Sequence, residues 1–354
     1  MEDRNDRWVV QVICKTYNHA SYIIDAMNGF TMQRTSFPFV CTIIDDASTD
    51  GEQEIIRRYL LEHFNEEVRR EETPDFIKLF VQHKTNSNCY FAVLFLKYNH
   101  FRIKKSKQPY LAEWSENAKY IAMCEGDDYW SDANKLEKQV AFLELNIEIG
   151  LCYTRARQLR DNLLKEEPIL DQCDTVSLIR MNPIRTLTVV FRSILYREYL
   201  SFVNRENIKP FDYPLFLWFS FYSKIGYLND ITGVYRVNDE SISHSKNNSQ
   251  KVISFLESCM VARDYWIKLL QLDPTPFWYK HDVKCYKFAI ANFDRENILK
   301  YRNKIAQYSD VSAIKKSPYV EFVRRTKMDF CISWMYRITK PVFSNFVREH
   351  ANKW

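Results

Sequence analysis

Three carboxylates fall within four residues at Glu125-Gly126-Asp127-Asp128, and two more stand side by side at Asp45-Asp46. Like charges this close repel one another unless a cation neutralises them. The ion suited to such oxygen donors is Mg²⁺ or Mn²⁺, which binds through one or two carboxylates together with a substrate's phosphates. Asp127 and Asp128 are therefore metal candidates; the alternative is capping of the helix that follows, for which Ser131 or Asp132 would suffice. Asp45 and Asp46 could accept the N–H of a base or the hydroxyls of a ribose, while Ser48 to Asp50 read as a turn and helix cap. Tyr17 offers a ring for a base to stack on, or simply packs. Asp212 lies among Phe211, Tyr213, Pro214, Leu215 and Phe216, where partial desolvation would raise its pKa toward the basicity a general base needs. Its alternative is a cap ahead of a Pro-initiated helix. His244, in a polar stretch, is a weaker metal candidate and otherwise a solvated side chain.

These residues must be positioned by something, and the runs before them say what. Residues 8–13, 39–44 and 120–124 are apolar and β-branched and end abruptly in polar or acidic residues, the pattern of buried parallel strands delivering side chains to one sheet edge. Ligands of open α/β sheets sit beyond that edge. Between them, Ile23, Ala26, Met27 and Phe30 predict a helix. Thr49 and Glu52 stand at capping-box spacing before a second, with Ile55, Ile56, Tyr59 and Leu60 on its apolar face. Residues 76–82 predict a third strand, 83–118 an irregular basic loop (Lys97, Arg102, Lys104, Lys105, Lys107), and Leu136, Val140 and Leu143 a helix. Strand-like pieces follow at 149–154, 186–191 and 233–237, with an apolar helix after Pro214. Strands alternating with helices predict a doubly wound, mostly parallel α/β sheet, Rossmann-like, with a C-terminal helical extension beyond about 248. The polar run Ser245-Lys246-Asn247-Asn248-Ser249 is the expected linker, giving domains 1–247 and 248–354.

Composition narrows the function. The net charge of +5 over 354 residues is too small and dispersed for nucleic-acid binding. The six glycines never cluster, so a G-x-G-x-x-G turn, a phosphate-cradling loop and the glycine-rich loop of a nucleotidyltransferase are all absent. The charged start, Met1 to Arg7, predicts no signal peptide. Nine cysteines without a C-x-x-C pair predict reduced core thiols of a cytoplasmic protein, and no run reaches the roughly 20 apolar residues of a membrane span. From Lys315 to Trp354 nine cations face three acids, interleaved with aromatics. That mixture would suit peripheral contact with an anionic membrane, or a helical subdomain packing on the core.

The run ending Tyr17-Asn18, then Ile44-Asp45-Asp46-Ala47-Ser48-Thr49-Asp50-Gly51, then Tyr120 to Asp132 with Lys135-Leu136 following, resembles the family 2 glycosyltransferases of bacterial polysaccharide synthesis, over roughly residues 8–245. The resemblance implies a GT-A fold and an inverting enzyme moving a sugar from a nucleotide diphosphate donor, most simply a UDP-sugar, to a hydroxyl of a glycan or lipid-linked acceptor. It implies that Thr16, Tyr17, Asp45, Asp46, Glu125, Asp127 and Arg236 bind the nucleotide sugar. Asp127, with Asp128 and His244, would hold Mn²⁺ or Mg²⁺, and Asp212 would be the catalytic base. The chain departs from the family's pattern in two places: Glu125 stands for the first Asp of D-x-D, and the N-x-G-x-x-x-A-R-N stretch is missing. A non-catalytic nucleotide- or glycan-binding scaffold is the alternative reading.

Overall fold

The computed structural model describes residues 8–66, 69–167, 173–206, 212–237, 249–308, 317–329 and 331–333. His244, and Lys209 to Phe211 ahead of Asp212, lie outside them. The chain divides into two compact units, Met1–Arg236 and Val237–Trp354.

In the first unit the elements run β1 (Trp8–Thr16), α1 (Ile23–Thr31), β2 (Phe39–Asp45), α2 (Glu52–His63), β3 (Arg69–Glu72), β4 (Phe76–Gln82), β5 (Cys89–Leu96), α3 (Gln108–Ser115), β6 (Ala118–Met123), β7 (Tyr129–Trp130) and α4 (Lys135–Leu145). They continue as β8 (Ile149–Arg160), β9 (Leu163–Glu166), α5 (Thr175–Arg180), a 3₁₀ turn at Thr186–Thr188, β10 (Val190–Arg192), α6 (Ser193–Arg205), α7 (Asp212–Tyr222) and β11 (Lys224–Arg236). The described strands form one sheet in the order β3-β4-β5-β2-β1-β6-β10-β8-β11-β7, with β9 on β8. Its centre, β5-β2-β1-β6, is parallel. Strand β2 is buried at every position, as a parallel strand covered on both faces must be. Phe39, Cys41 and Ile43 pack with Ile23, Ala26, Met27 and Phe30 of α1; Val40 joins Ala92 and Trp114 in a separate cluster.

The α/β architecture with a parallel centre is the one the sequence pattern predicts, and the four α1 positions named from it are all fully buried. Other elements differ. The segment 83–118 is not one loop: it holds β5, an interior strand, and α3. Strand β4 runs antiparallel to β5, and β10 antiparallel to both β6 and β8. The pieces expected at 149–154 and 233–237 are the ends of the longer strands β8 and β11, which pair in parallel. The capping box is not formed. Gly51 caps α2 in the left-handed region (φ 90°), and Glu52 turns its carboxylate toward β1 instead.

The second unit is helical: α8 (Ser249–Leu269), α9 (Thr275–Ala291), α10 (Arg295–Ala306) and α11 (Pro318–Thr326). Val320 and Val323 of α11 are buried with Tyr286, Ile298 and Tyr301, so this part of the basic tail packs as a helix; residues from 334 onward lie outside the described ones. No described helix is long and apolar enough to cross a membrane.

Candidate active site

The parallel strands place the predicted residues along one edge. Thr16, the last residue of β1, lies opposite Asp45, the last of β2. The chain leaving β6 is strapped onto β1: the N–H of Cys124 donates to Ile13 O (3.1 Å) and that of Gly126 to Lys15 O (3.2 Å). Only glycine fits here, because a Cβ at 126 would stand 2.2 Å from Thr16 Oγ1 and 2.7 Å from Thr16 Cβ. From 125 to 130 burial alternates: Glu125, Asp127 and Tyr129 are accessible, while Gly126, Asp128 and Trp130 are buried.

That alternation divides the acidic cluster. The carboxylates of Glu125 and Asp127 accept no hydrogen bond within the described residues, which leaves hard oxygen donors facing the cleft. Glu125 is exposed, and the protein atoms around it still desolvate its carboxyl: that desolvation, then the charges of Asp127 and Asp212, push its pKa up to about 7, with Lys15 opposing. Asp128 faces inward, 3% exposed, and accepts the N–H of Arg236 at 2.7 Å; burial first, and Asp127 second, push its pKa well up. Through that bond it fixes the end of β11. Arg236 is likewise committed: it donates to Asp127 O (2.9 Å), pairs with Asp25 and lies 4.5 Å from the centre of the Tyr129 ring.

The two aspartates after β2 also separate. Asp46 is buried and accepts the N–H groups of His100 (2.7 Å) and Phe101 (3.1 Å) while pairing with Lys107 at 2.7 Å. This carboxylate anchors the segment after β5. Asp45 accepts from Ser48 N (3.1 Å) and from Gln53. Its Oδ2 is buried with no partner among the described residues, and burial raises its pKa. Tyr17 accepts a hydrogen bond from Arg102 Nη2 at 3.2 Å.

Asp212 opens α7. Its Oδ2 accepts from Thr186 Oγ1 (3.0 Å) and its Oδ1 from the N–H of Tyr213 (2.8 Å), the adjacent residue and not one two or three positions along as in a cap. Desolvation raises its pKa, against the pull of Thr186, Tyr213 and, more weakly, Arg185. Asp212 lies within electrostatic range of both Glu125 and Lys15, so the start of α7 is near the turn after β6.

Sequence reasoning missed two contributors. Lys15, next to last in β1, lies within electrostatic range of both acids, its pKa lowered by desolvation first and also by Lys107, while Glu125 and Asp212 oppose; a lone charge near the end of an apolar strand was the available signal. Glu52, fully buried, gathers Thr16 Oγ1, His19 N (2.9 Å) and Ser48 Oγ (2.8 Å), tying the loops after β1 and β2 together. Nothing local in the sequence reveals those contacts.

Among the described residues no three His, Cys, Asp or Glu side chains form a metal cage. The donors present still fit Mg²⁺ or Mn²⁺, which takes one or two carboxylates and completes its shell with substrate phosphates and water. Asp127, with Glu125 beside it, would supply those carboxylates.

No family model matches the chain. Uncharacterized proteins of Mycobacterium bovis and Mycobacterium tuberculosis are 29% identical over 242 residues, 67% of this chain and 61% of each relative, so the chain spans about three fifths of the relatives' length. Similar solved structures include Staphylococcus aureus TarS in complex with UDP-GlcNAc, at 12% identity and TM-score 0.46, covering 94% of this chain and 91% of that one. Another is a mannosyltransferase from Pyrobaculum calidifontis in complex with GDP-Man and Mn²⁺, at 14% identity and TM-score 0.44, covering 96% and 89%.

Proposed function

We propose that this chain is a metal-dependent, inverting glycosyltransferase that moves a sugar from a nucleotide diphosphate donor, UDP-linked by preference, to a hydroxyl of a glycan or lipid-linked acceptor in surface polysaccharide synthesis, working in the cytoplasm or at the inner face of the cytoplasmic membrane. One observation supports this reading: Glu125 and Asp127 stand beyond the carboxyl end of β6 with carboxylates that accept no hydrogen bond from any described residue, and Asp212 lies within electrostatic range of Glu125.

In this reading the base of the donor lies toward Tyr17, and Asp45, buried at the end of β2, holds the loop beside it through Ser48 and Gln53. The diphosphate lies toward Asp127 and Glu125, where the divalent ion, when bound, neutralises charge on the departing nucleotide. Asp212 takes the proton of the acceptor hydroxyl as its oxygen attacks the anomeric carbon from the face opposite the diphosphate. The C–O bond to the acceptor forms as the bond to the nucleotide breaks, and the configuration inverts in one displacement. Thr186 holds Asp212 Oδ2, and desolvation lifts its basicity above that of an ordinary aspartate. Arg236 and Asp128 act on the turn that carries Asp127.

Incubation of the full chain with a panel of nucleotide sugars and Mn²⁺, followed by mass spectrometry, tests the reading. A transferase releases nucleoside diphosphate from one donor class, by transfer or slow hydrolysis; a binding scaffold returns every donor intact.

A further inference from the structure

Residues 97–107, between β5 and α3, hold five cations and no acid. Three of the cations are spent within the fold: Lys97 on Glu72 (3.1 Å), Lys105 on Asp75 (2.7 Å) and Lys107 on Asp46 (2.7 Å). Arg102 and Lys104 have no carboxylate at ion-pair distance among the described residues. In the same segment stand Tyr98, Phe101 and Ile103, 55%, 63% and 60% exposed.

The backbone that presents them is fixed. Asp46 clamps the N–H groups of His100 and Phe101, and Asn99 donates to Asp46 O at 3.1 Å and accepts from Arg102 N at 2.8 Å. Lys105 N closes the turn on His100 O at 2.9 Å, and Lys104 takes the left-handed conformation (φ 55°). Apolar side chains held outward by so many bonds are not relieved inside the chain, and exposed apolar patches of this kind mark interaction surfaces.

We propose that residues 97–107 dock the protein on an anionic lipid surface, with Tyr98, Phe101 and Ile103 at the headgroup boundary and Arg102 and Lys104 against lipid phosphates. Aromatic and aliphatic tips beside two cations that no carboxylate neutralises, the nearby Glu72 and Asp75 being paired with Lys97 and Lys105, are what such an interface takes up. A soluble polyanion would engage the cations alone. The segment reaches the cleft rim through Arg102 on Tyr17, so a docked chain holds the cleft beside the lipid. That consequence rests on the transferase reading; the docking does not.

The full chain is sedimented with phosphatidylcholine vesicles with and without phosphatidylglycerol, in the absence of any sugar nucleotide. Pelleting with the anionic vesicles alone is expected. Phe101→Ser/Ile103→Ser should weaken partitioning by roughly 10- to 100-fold for two partly buried apolar side chains, and Lys104→Gln by about fivefold. Independently of any folding defect in the double variant, Phe101→Trp should give indole emission that blue-shifts and is quenched by brominated lipid. A parent chain that stays in the supernatant at low salt overturns the proposal, as does unquenched emission from Phe101→Trp. Vesicle binding that survives the double substitution and vanishes in salt assigns the cations to soluble polyanions and overturns it equally.

Discussion

Replacing Gly126 by Ala probes the joint on which the acidic turn depends. The added methyl would meet Thr16 Oγ1 at 2.2 Å, Thr16 Cβ at 2.7 Å and His19 Nδ1 at 3.1 Å. None of these is the far end of a flexible chain. Thr16 Oγ1 is held by Glu52 and by His19 Nδ1 at 3.2 Å, so rotating it away breaks a buried network. Overpacking of this kind costs about 1–3 kcal/mol, and the turn is expected to yield toward the upper half of that range. A shift of the Glu125–Asp127 turn by about 1 Å would also cost up to about 100-fold in a function that depends on its placement. Urea unfolding of Gly126→Ala should show the loss, and calorimetry with UDP and Mn²⁺ the weakened binding. Thr16→Ser keeps an oxygen at the clash and should restore nothing. Thr16→Gly removes both atoms, so the double variant should be more stable than the two single losses imply, by about 1 kcal/mol of coupling. A Gly126→Ala chain within about 0.5 kcal/mol of the parent, binding nucleotide normally, would refute the packing on which the site's geometry rests.

The acidic cluster predicts that UDP affinity requires Mn²⁺ or Mg²⁺ and is lost in Asp127→Ala; equal calorimetric titrations with and without EDTA would remove the metal from the account. Lys135 is fully buried, with Nζ on Gln139 Oε1 (2.5 Å) and 4.6 Å from the centre of the Trp130 ring; burial lowers its pKa to about 7. The unfolded chain therefore binds more protons than the folded one between about pH 7 and 10, so the Lys135 contribution makes stability rise with pH there, by up to about 1.4 kcal/mol per unit, and the cost is complete below pH 7. Lys135→Met should flatten that slope in urea unfolding; an unchanged slope contradicts it. Because the pKa of Asp212 is raised, the acid limb of the turnover profile should lie above the usual aspartate range, and a profile still flat at the pH of an ordinary aspartate would remove Asp212 as the titrating base.

Apolar runs made the strand ends of β1, β2 and β6 legible, along with the acids beyond them. Direction was not: β4 and β5 are buried runs of the kind parallel strands show, yet they pair antiparallel, and apolar content does not encode orientation. Strand β5 was hidden by its surroundings, with an Asn-rich turn before it and, after it, an acid-free stretch of eleven residues holding five cations giving the whole segment the look of a loop. The failed capping box has a similar cause. Thr49 N–H is taken by Asn18 Oδ1 at 2.8 Å and Glu52 by Thr16, partners thirty or more residues away. Within the site, the division between Asp127 and Asp128 was readable, since the residues entering β7 alternate with period two and the inward set is Gly126, Asp128 and Trp130. The division between Asp45 and Asp46 was not, because it depends on where the segment after β5 returns its N–H groups.

In the proposed reaction Asp212 removes a proton from an acceptor hydroxyl beside the turn on which Glu125 and Asp127 would hold a nucleotide sugar. The most direct test of that step is single-turnover transfer by Asp212→Asn, with the donor found by screening and its binding measured in parallel. The account predicts transfer slowed by roughly 10²- to 10⁴-fold, the usual worth of a general base, with donor affinity unchanged. Transfer within a few fold of the parent would contradict it.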